Sequence, residues 1–218
     1  MKNTSFYQGI FRLSLIMLFI SFNFIACSQV KLHAGGSDLP KEKSNIGDKK
    51  EMSGDTTKYK KAIFASGCFW GTEYYMQKAK GVVSTEVGFI GGTKDNPTYK
   101  EVCTGKTGHA EACLVVYNPD ETNYEELTKL FFETHDPTQV NRQGPDIGTQ
   151  YRTEIFYLDD EQKATAEKLI KILKDKGYDV ATKVTPATTF WKAEDYHQNY
   201  YENKNGTPYC HVYKKKFD

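Results

Sequence analysis

A chain of 218 residues carries 29 Lys and Arg against 28 Asp and Glu, a formal net charge of +1. So close a balance leaves no electrostatic footprint for nucleic acid or for an acidic substrate. Hydrophobic residues make up 39% and aromatics 14%, with 15 Tyr and 13 Phe, ample for the core of one domain.

The first residues read as a leader. Residues 1–12 hold Lys2 and Arg12 and no acid, and residues 13–26 are apolar apart from Ser14, Ser21 and Asn23. That run falls short of the roughly 20 residues a spanning helix needs, so it reads as the apolar region of a secretory signal. It ends in Phe24-Ile25-Ala26-Cys27-Ser28, which resembles the lipobox of bacterial lipoproteins, with Phe24 where Leu is usual. Cleavage before Cys27 would make that cysteine the lipidated N-terminus. The expectation is an exported, membrane-anchored lipoprotein of the bacterial envelope, facing the periplasm or the cell surface. An ordinary signal peptide or an uncleaved anchor is the alternative. Loss of residues 1–26 takes away two cations and no acid, leaving 27 Lys and Arg against 28 Asp and Glu, a formal charge of −1. Residues 27–58 are polar, poor in aromatics and without periodicity, and read as a disordered tether. Residues 59–218 then form the single folded domain.

Residues 62–66 are a short apolar run that predicts a buried strand. Gly67-Cys68-Phe69-Trp70-Gly71 follows, and residues 72–80 read as a helix closed by Gly81. Cys68 therefore falls at a helix N-terminus, where free N–H groups and the dipole favour a thiolate and lower the thiol pKa. Gly67 and Gly71 would admit backbone or substrate closely, and Phe69 and Trp70 would wall an apolar pocket. A buried cysteine in a tight turn is the plainer reading. Residues 82–89 predict a second strand, running into the turn Gly88-Phe89-Ile90-Gly91-Gly92. Residues 96–99 and 103–108 read as loops, and residues 110–117 as a third strand stopped by Asn118-Pro119. Thr122 and Glu125 suggest a capping box for a helix to about His135, with Tyr124, Leu127 and Phe131 on one face.

Residues 136–150 are long and polar, with two prolines and two glycines, and at that length read as functional. Residues 152–158 predict a strand, and a helix from Asp160 shows the stripe Ala166, Leu169, Ile170, Leu173 before Gly177. Residues 180–185 read as a last strand, 194–203 as a short helix, and 206–218 as an irregular, basic, flexible tail holding Cys210. Interleaved strands and helices predict an α/β or α+β two-layer sandwich.

Several side chains carry possible chemistry. On strand alternation Glu111 shares a face with Cys113 and Val115, and a carboxyl buried there would have a raised pKa and act as a general acid. A solvated surface acid is the plainer reading. Cys103, His109 and Cys113 are metal-type side chains at a spacing unlike the tight cysteine pairs of zinc sites, so no metal is expected and Cys113 reads as a small core residue. Tyr99 and Tyr151 offer phenolic donors but equally core packing. Asp146 is a polar partner or a turn residue. His197 is either a base for a cysteine or a packing residue. With Cys27 acylated, Cys68, Cys103, Cys113 and Cys210 remain, enough for two structural disulfides. The positions of Cys68 and Cys210 suggest redox chemistry instead.

Together the motifs resemble the peptide-methionine (S)-S-oxide reductases, the A-type methionine sulfoxide reductases. The resemblance runs from Ile63 to Cys210. It takes in the Cys68 pentapeptide, residues 87–92 and Tyr99-Lys100-Glu101-Val102-Cys103. Residues 104–111, His135-Asp136-Pro137-Thr138-Gln139, residues 141–144 and 148–152, and Ala193-Glu194-Asp195-Tyr196-His197-Gln198 complete it. It implies a two-layer fold with a ferredoxin-like core and mixed sheet. It also implies Cys68 as the nucleophile on the sulfoxide sulfur and Glu111 as hydrogen-bond or proton donor to the oxygen. Tyr99 and Tyr151 would donate to the same oxygen, with Asp146 nearby, and Phe69 and Trp70 would hold the S-methyl group. Cys210 would resolve the Cys68 sulfenic acid as a disulfide, reduced in turn by a thioredoxin-like protein, with no bound cofactor. Substrates would be free methionine sulfoxide or oxidised proteins.

The sequence departs from the family in three places. No cysteine follows Cys210, Pro208 replaces a usual glycine, and Phe89 stands where tyrosine is common. Two other functions remain open on the residues alone. One is a hydrolase or acyltransferase using Cys68 with His197 or His109. The other is a membrane-tethered binding module with structural disulfides.

Overall fold

The computed structural model describes residues 58–218. The expected leader, the lipidation residue Cys27 and the tether up to residue 57 lie outside the described residues. Within them, strands β1 (Lys60–Ser66), β2 (Val82–Ile90), β3 (Ala110–Tyr117), β6 (Thr153–Tyr157), β7 (Lys183–Pro186) and β8 (Trp191–Lys192) form one sheet in the order β7-β6-β1-β3-β2-β8. A small hairpin joins β4 (Arg142–Gln143) to β5 (Asp146–Ile147). The helices are α1 (Phe69–Met76), α2 (Tyr99–Cys103), α3 (Tyr124–Thr134), α4 (Asp160–Asp175) and α5 (Tyr200–Lys204).

The central order β6-β1-β3-β2 is antiparallel throughout and wraps a split βαβ unit, the ferredoxin-like core that was expected. β7 joins β6 in parallel, which makes the sheet mixed. β1 lies between β3 and β6, so residues on both its faces are buried: Ala62 and Phe64 on one, Ile63 and Ala65 on the other. The larger core packs Phe64, Val115, Phe131, Leu127, Leu169 and Leu173 between the sheet and the helices. The opposite face holds Ile63, Ala65, Ile90, Ala110, Ala112 and Phe156 under Ala187 and Phe190.

Register sets up one end of this sheet. Phe64 opposes Cys113 and Ser66 opposes Thr153, so the C-terminal end of β1 lies beside the start of β3 and the start of β6. Cys68, Glu111 and Tyr151 therefore converge from three separate segments.

Several local expectations are corrected. α1 begins at Phe69 and ends at Met76, rather than spanning residues 72–80, and Cys68 occupies its N-cap position. α2 lies between the two expected loops and takes Tyr99 and Cys103 from them: Thr98 Oγ1 accepts the Glu101 N–H at 3.4 Å while Glu101 accepts the Thr98 N–H at 2.9 Å. The cap of α3 is Asn123, accepting from the Glu126 N–H at 2.9 Å, and not the Thr122–Glu125 pair. The expected helix over residues 194–203 is broken at Asn199, in left-handed conformation with φ 53°, where its N–H donates to Glu73 at 2.8 Å.

The C-terminal tail is irregular but packed, contrary to the flexible segment that was expected. Glu133 Oε1 accepts the N–H groups of Lys216 and Phe217 at 2.9 and 3.0 Å. The Lys216 ammonium donates to the carbonyls of Phe132 and His135 at 2.7 and 3.1 Å, satisfying orphan acceptors at the end of α3. Phe217 is buried beside Phe132. These contacts hold Cys210 and His211 in a buried position at the sheet end.

Candidate active site

The site is built on the turn from β1 into α1. Gly67 adopts φ +100°, a conformation only glycine takes freely, and a Cβ there would collide with Gln143. The Cys68 carbonyl accepts the N–H groups of Gly71 and Thr72 at 3.1 and 3.3 Å, fixing the thiol at the mouth of α1. Cys68 is 5% exposed.

Glu111 reaches this turn from β3. Its Oε2 accepts the Phe69 N–H at 3.1 Å, while Oε1 is buried without a partner. Burial raises the Glu111 pKa well above the carboxylate range, the neighbouring Cys68 adds to this, and the Phe69 N–H only partly opposes it. The shift favours the protonated carboxyl, the form that has a hydrogen to donate. Tyr99 opens α2, and Tyr151 ends the tight turn Thr149–Tyr151. Burial first, and then the neighbouring Glu111 carboxyl should it ionise, push both phenol pKa values up, so both stay protonated donors.

An aromatic wall adjoins these donors. Phe69 is buried and stacks on Tyr99 with centroids 6.3 Å apart, and packs on Phe89 and His197 at 5.8 and 5.1 Å. Trp70 lies flat on Tyr200 at 3.7 Å. Its indole N–H donates to His197 Nδ1 at 3.1 Å, which fixes the ring plane.

The second thiol comes from the tail. The Sγ atoms of Cys68 and Cys210 and a carboxylate oxygen of Asp146 all lie within 4.8 Å of one another. Both thiols are free. Asp146, from the β4–β5 hairpin, accepts the Tyr209 hydroxyl at 3.1 Å, tying the hairpin to the residue before Cys210.

Residues 60–218 match the family described as peptide methionine sulfoxide reductase. The chain belongs to that family. The peptide methionine sulfoxide reductase MsrA of Deinococcus radiodurans is 53% identical over 152 residues, covering 68% of this chain and 74% of the relative. That of Acidobacterium capsulatum is 50% identical over 155 residues, 70% of this chain and 99% of the relative. Among solved structures, reduced Mxr1 from Saccharomyces cerevisiae aligns with a TM-score of 0.69 at 39% identity, over 76% of this chain and 97% of that one. Mxr1 in complex with Trx2 aligns with a TM-score of 0.50 at 27% identity, over 76% and 96%.

Cys68, Glu111, Tyr99, Tyr151, Asp146, Cys210, Phe69 and Trp70, the residues singled out by the resemblance, lie together at one end of the sheet. One electrostatic expectation is corrected. In this reduced, closed site the Cys68 pKa is raised, first by the Cys210 thiol and then by burial, with the Trp70 backbone N–H opposing. An eight-residue helix offers a limited dipole, and the approaching thiol and desolvation outweigh it.

The hydrolase alternative finds no catalytic pair. His197 accepts from Trp70, and His109 Nδ1 accepts the Gly92 N–H at 3.1 Å while its Nε2 meets the Lys94 carbonyl at 2.7 Å. Both are held by structural bonds. Cys113 is fully buried core and Cys103 is exposed beside Tyr99, so they do not gather with His109. The sequence reading assigned nothing to His211, whose Nδ1 lies 3.1 Å from Cys210 Sγ. Its one sequence signal is adjacency to Cys210.

Proposed function

We propose that the chain reduces the S epimer of methionine sulfoxide, free or within oxidised proteins, through a Cys68 sulfenic acid and a Cys68–Cys210 disulfide. The observation that carries this reading is the buried, unpartnered Glu111 Oε1 beside Cys68, with a second thiol in reach. A sulfoxide oxygen leaves sulfur only if its developing charge is stabilised, and a neutral carboxyl with two phenols supplies donors in a dry site. Phe69 and Trp70 receive the S-methyl group.

The Cys68 sulfur attacks the sulfoxide sulfur while Glu111 delivers a proton to the oxygen. Oxygen passes to Cys68, the thioether leaves, and the thiol hydrogen restores Glu111. One thiol and one sulfoxide give one sulfenic acid and one methionine. Cys210 then displaces the sulfenic hydroxyl as water, forming the disulfide. An external dithiol of thioredoxin type returns two electrons and two protons. All electrons come from thiols, so the cycle needs no bound cofactor.

The lipobox-like sequence supports residues 1–26 as a cleaved leader, Cys27 as a lipidated anchor, residues 27–58 as a tether and an envelope location for the domain at 59–218. Cys27→Ala is expected to abolish lipid labelling and release the protein from the membrane fraction. Persistent labelling would refute the anchor.

The reductase reading is tested by single turnover of residues 28–218 with separate S and R epimers and no reductant. Methionine from the S epimer alone, with loss of two thiols per chain, is the expected result. No methionine from either epimer in folded, reduced protein would overturn it.

A further inference from the structure

The reading above leaves the route of one proton open: the hydrogen that the Cys210 thiol gives up as its sulfur attacks. His211 follows Cys210 and is fully buried, with Nδ1 3.1 Å from Cys210 Sγ and Nε2 3.3 Å from Ser66 Oγ. Ser66 Oγ is in turn 2.7 Å from Thr72 Oγ1, and the Thr72 hydroxyl donates to the Cys68 carbonyl at 3.4 Å. The Cys68 carbonyl can only accept, and a chain of bonds run outward from it takes one direction. The Thr72 hydrogen goes to the Cys68 carbonyl, so the Ser66 hydrogen goes to Thr72 Oγ1, and Ser66 Oγ is left to accept. In that direction His211 donates from Nε2, and Nδ1 is the acceptor facing the Cys210 thiol.

The ring is also held in place from α1. A Cβ at residue 71 would fall on the His211 imidazole, so Gly71 is the residue that makes room for it. The Tyr75 hydroxyl donates to the His211 carbonyl at 3.5 Å. Two elements thus fix the imidazole against the second thiol rather than against Cys68.

We propose that His211 is the general base of the second half-reaction, accepting the Cys210 thiol proton as Cys210 attacks the Cys68 sulfenic acid. The inference rests on the sulfenic acid cycle proposed above. The Cys210 sulfur forms the S–S bond, the Cys68 S–O bond breaks with its electron pair on oxygen, and the leaving hydroxide takes a proton to depart as water. The proton on Nδ1 balances the one consumed there. The titratable groups facing His211 are Cys210, Asp146 from the β4–β5 hairpin, His135 after α3 and Tyr75 on α1. Burial holds the His211 pKa down at about 4, with a Ser66 backbone bond and Asp146 opposing, so the ring is neutral and able to accept through neutral pH.

The test is rapid-quench single turnover of residues 28–218 with the S epimer, wild type against His211→Asn. It records methionine release and, by thiol alkylation and mass spectrometry, disulfide closure. The expected result is a ratio of closure to release lowered about 100-fold near neutrality, with sulfenic acid trapped by a dione reagent. Closure in wild type is expected to be flat from pH 6 to 8. In the variant closure should become dependent on added buffer base, because no side chain then takes the proton of the attacking thiol. Equal ratios and an equal response to buffer base would overturn the assignment and leave His211 a packing residue. Absence of methionine in wild type would overturn the underlying cycle and this step with it. A variant that does not fold leaves a direct test on wild type: nitrogen NMR of reduced protein should show the Nε2–H tautomer of His211, and the Nδ1–H tautomer would overturn the proposal.

Discussion

The Phe69 backbone N–H donates to Glu111 Oε2 at 3.1 Å, joining the carboxyl on β3 to the residue after Cys68. One oxygen is committed to the fold and the other, Oε1, is buried and unpartnered. The same residue is thereby positioned by one atom and available for chemistry through the other.

Replacement of Glu111 by Gln separates these two roles. The amide oxygen can still accept the Phe69 N–H, and the size is retained, so thermal unfolding is expected to change little. The side chain can no longer transfer a proton, so the single-turnover rate of methionine formation is expected to fall about 100- to 1,000-fold. In wild type the pKa of Glu111 is raised, and the acid works only while protonated. The rate should therefore decline as pH rises through that raised pKa, and the variant should lack this decline. A near-normal rate in the variant across neutral pH would remove Glu111 from the mechanism.

Cys210→Ser tests the second thiol. The first methionine per chain is expected to form, because Cys68 and the oxygen donors are intact. Turnover should then stall with a thioredoxin-type reductant, and Cys68 should be recovered as sulfenic acid. Sustained turnover with that reductant would show that another thiol, or the reductant itself, resolves Cys68.

The legible parts of this molecule are those encoded locally. The apolar run before Gly67 and the alternation around Glu111 placed Cys68 just past the end of β1 and Glu111 on β3, because strand period and glycine turns are short-range signals. α2 was missed because five residues carry no apolar stripe, only the Thr98–Glu101 cap. The order of the tail was invisible because its anchors are Glu133 and Lys216, far apart in sequence. The Cys68 pKa was misjudged for the same reason. A helix N-terminus is visible in sequence, whereas the approach of Cys210 that overrides it is a tertiary fact.

Lys216→Met probes how the tail is held. It removes two bonds to the Phe132 and His135 carbonyls while keeping a long apolar stem. Leaving such acceptors unpaired costs about 1–3 kcal/mol, read as a lower denaturation midpoint. Faster amide exchange is expected over residues 210–217, and slower disulfide closure, because Cys210 is then less firmly held near Cys68. Unchanged exchange in the tail would show that Glu133 and Phe217 suffice.

Glu73 gives the domain a pH dependence separate from catalysis. It is buried on α1, accepts from the Asn199 N–H at 2.8 Å and the Thr85 hydroxyl at 3.2 Å, and so ties α1 to β2 and to the break before α5. Burial raises its pKa from 4.5 to about 7, with those hydrogen bonds partly opposing. The folded protein therefore keeps a proton that the unfolded chain has already lost between about pH 4.5 and 7. The stability this contributes is fully present below the unfolded value and is lost as pH rises through the folded one. Glu73→Gln keeps an acceptor for Asn199 and cannot ionise. Urea unfolding of wild type and variant from pH 5 to 8 is expected to show wild-type stability falling relative to the variant across that window. Parallel curves would mean that Glu73 is already ionised at pH 5 in the folded protein, and that its bonds to Asn199 and Thr85 outweigh its burial.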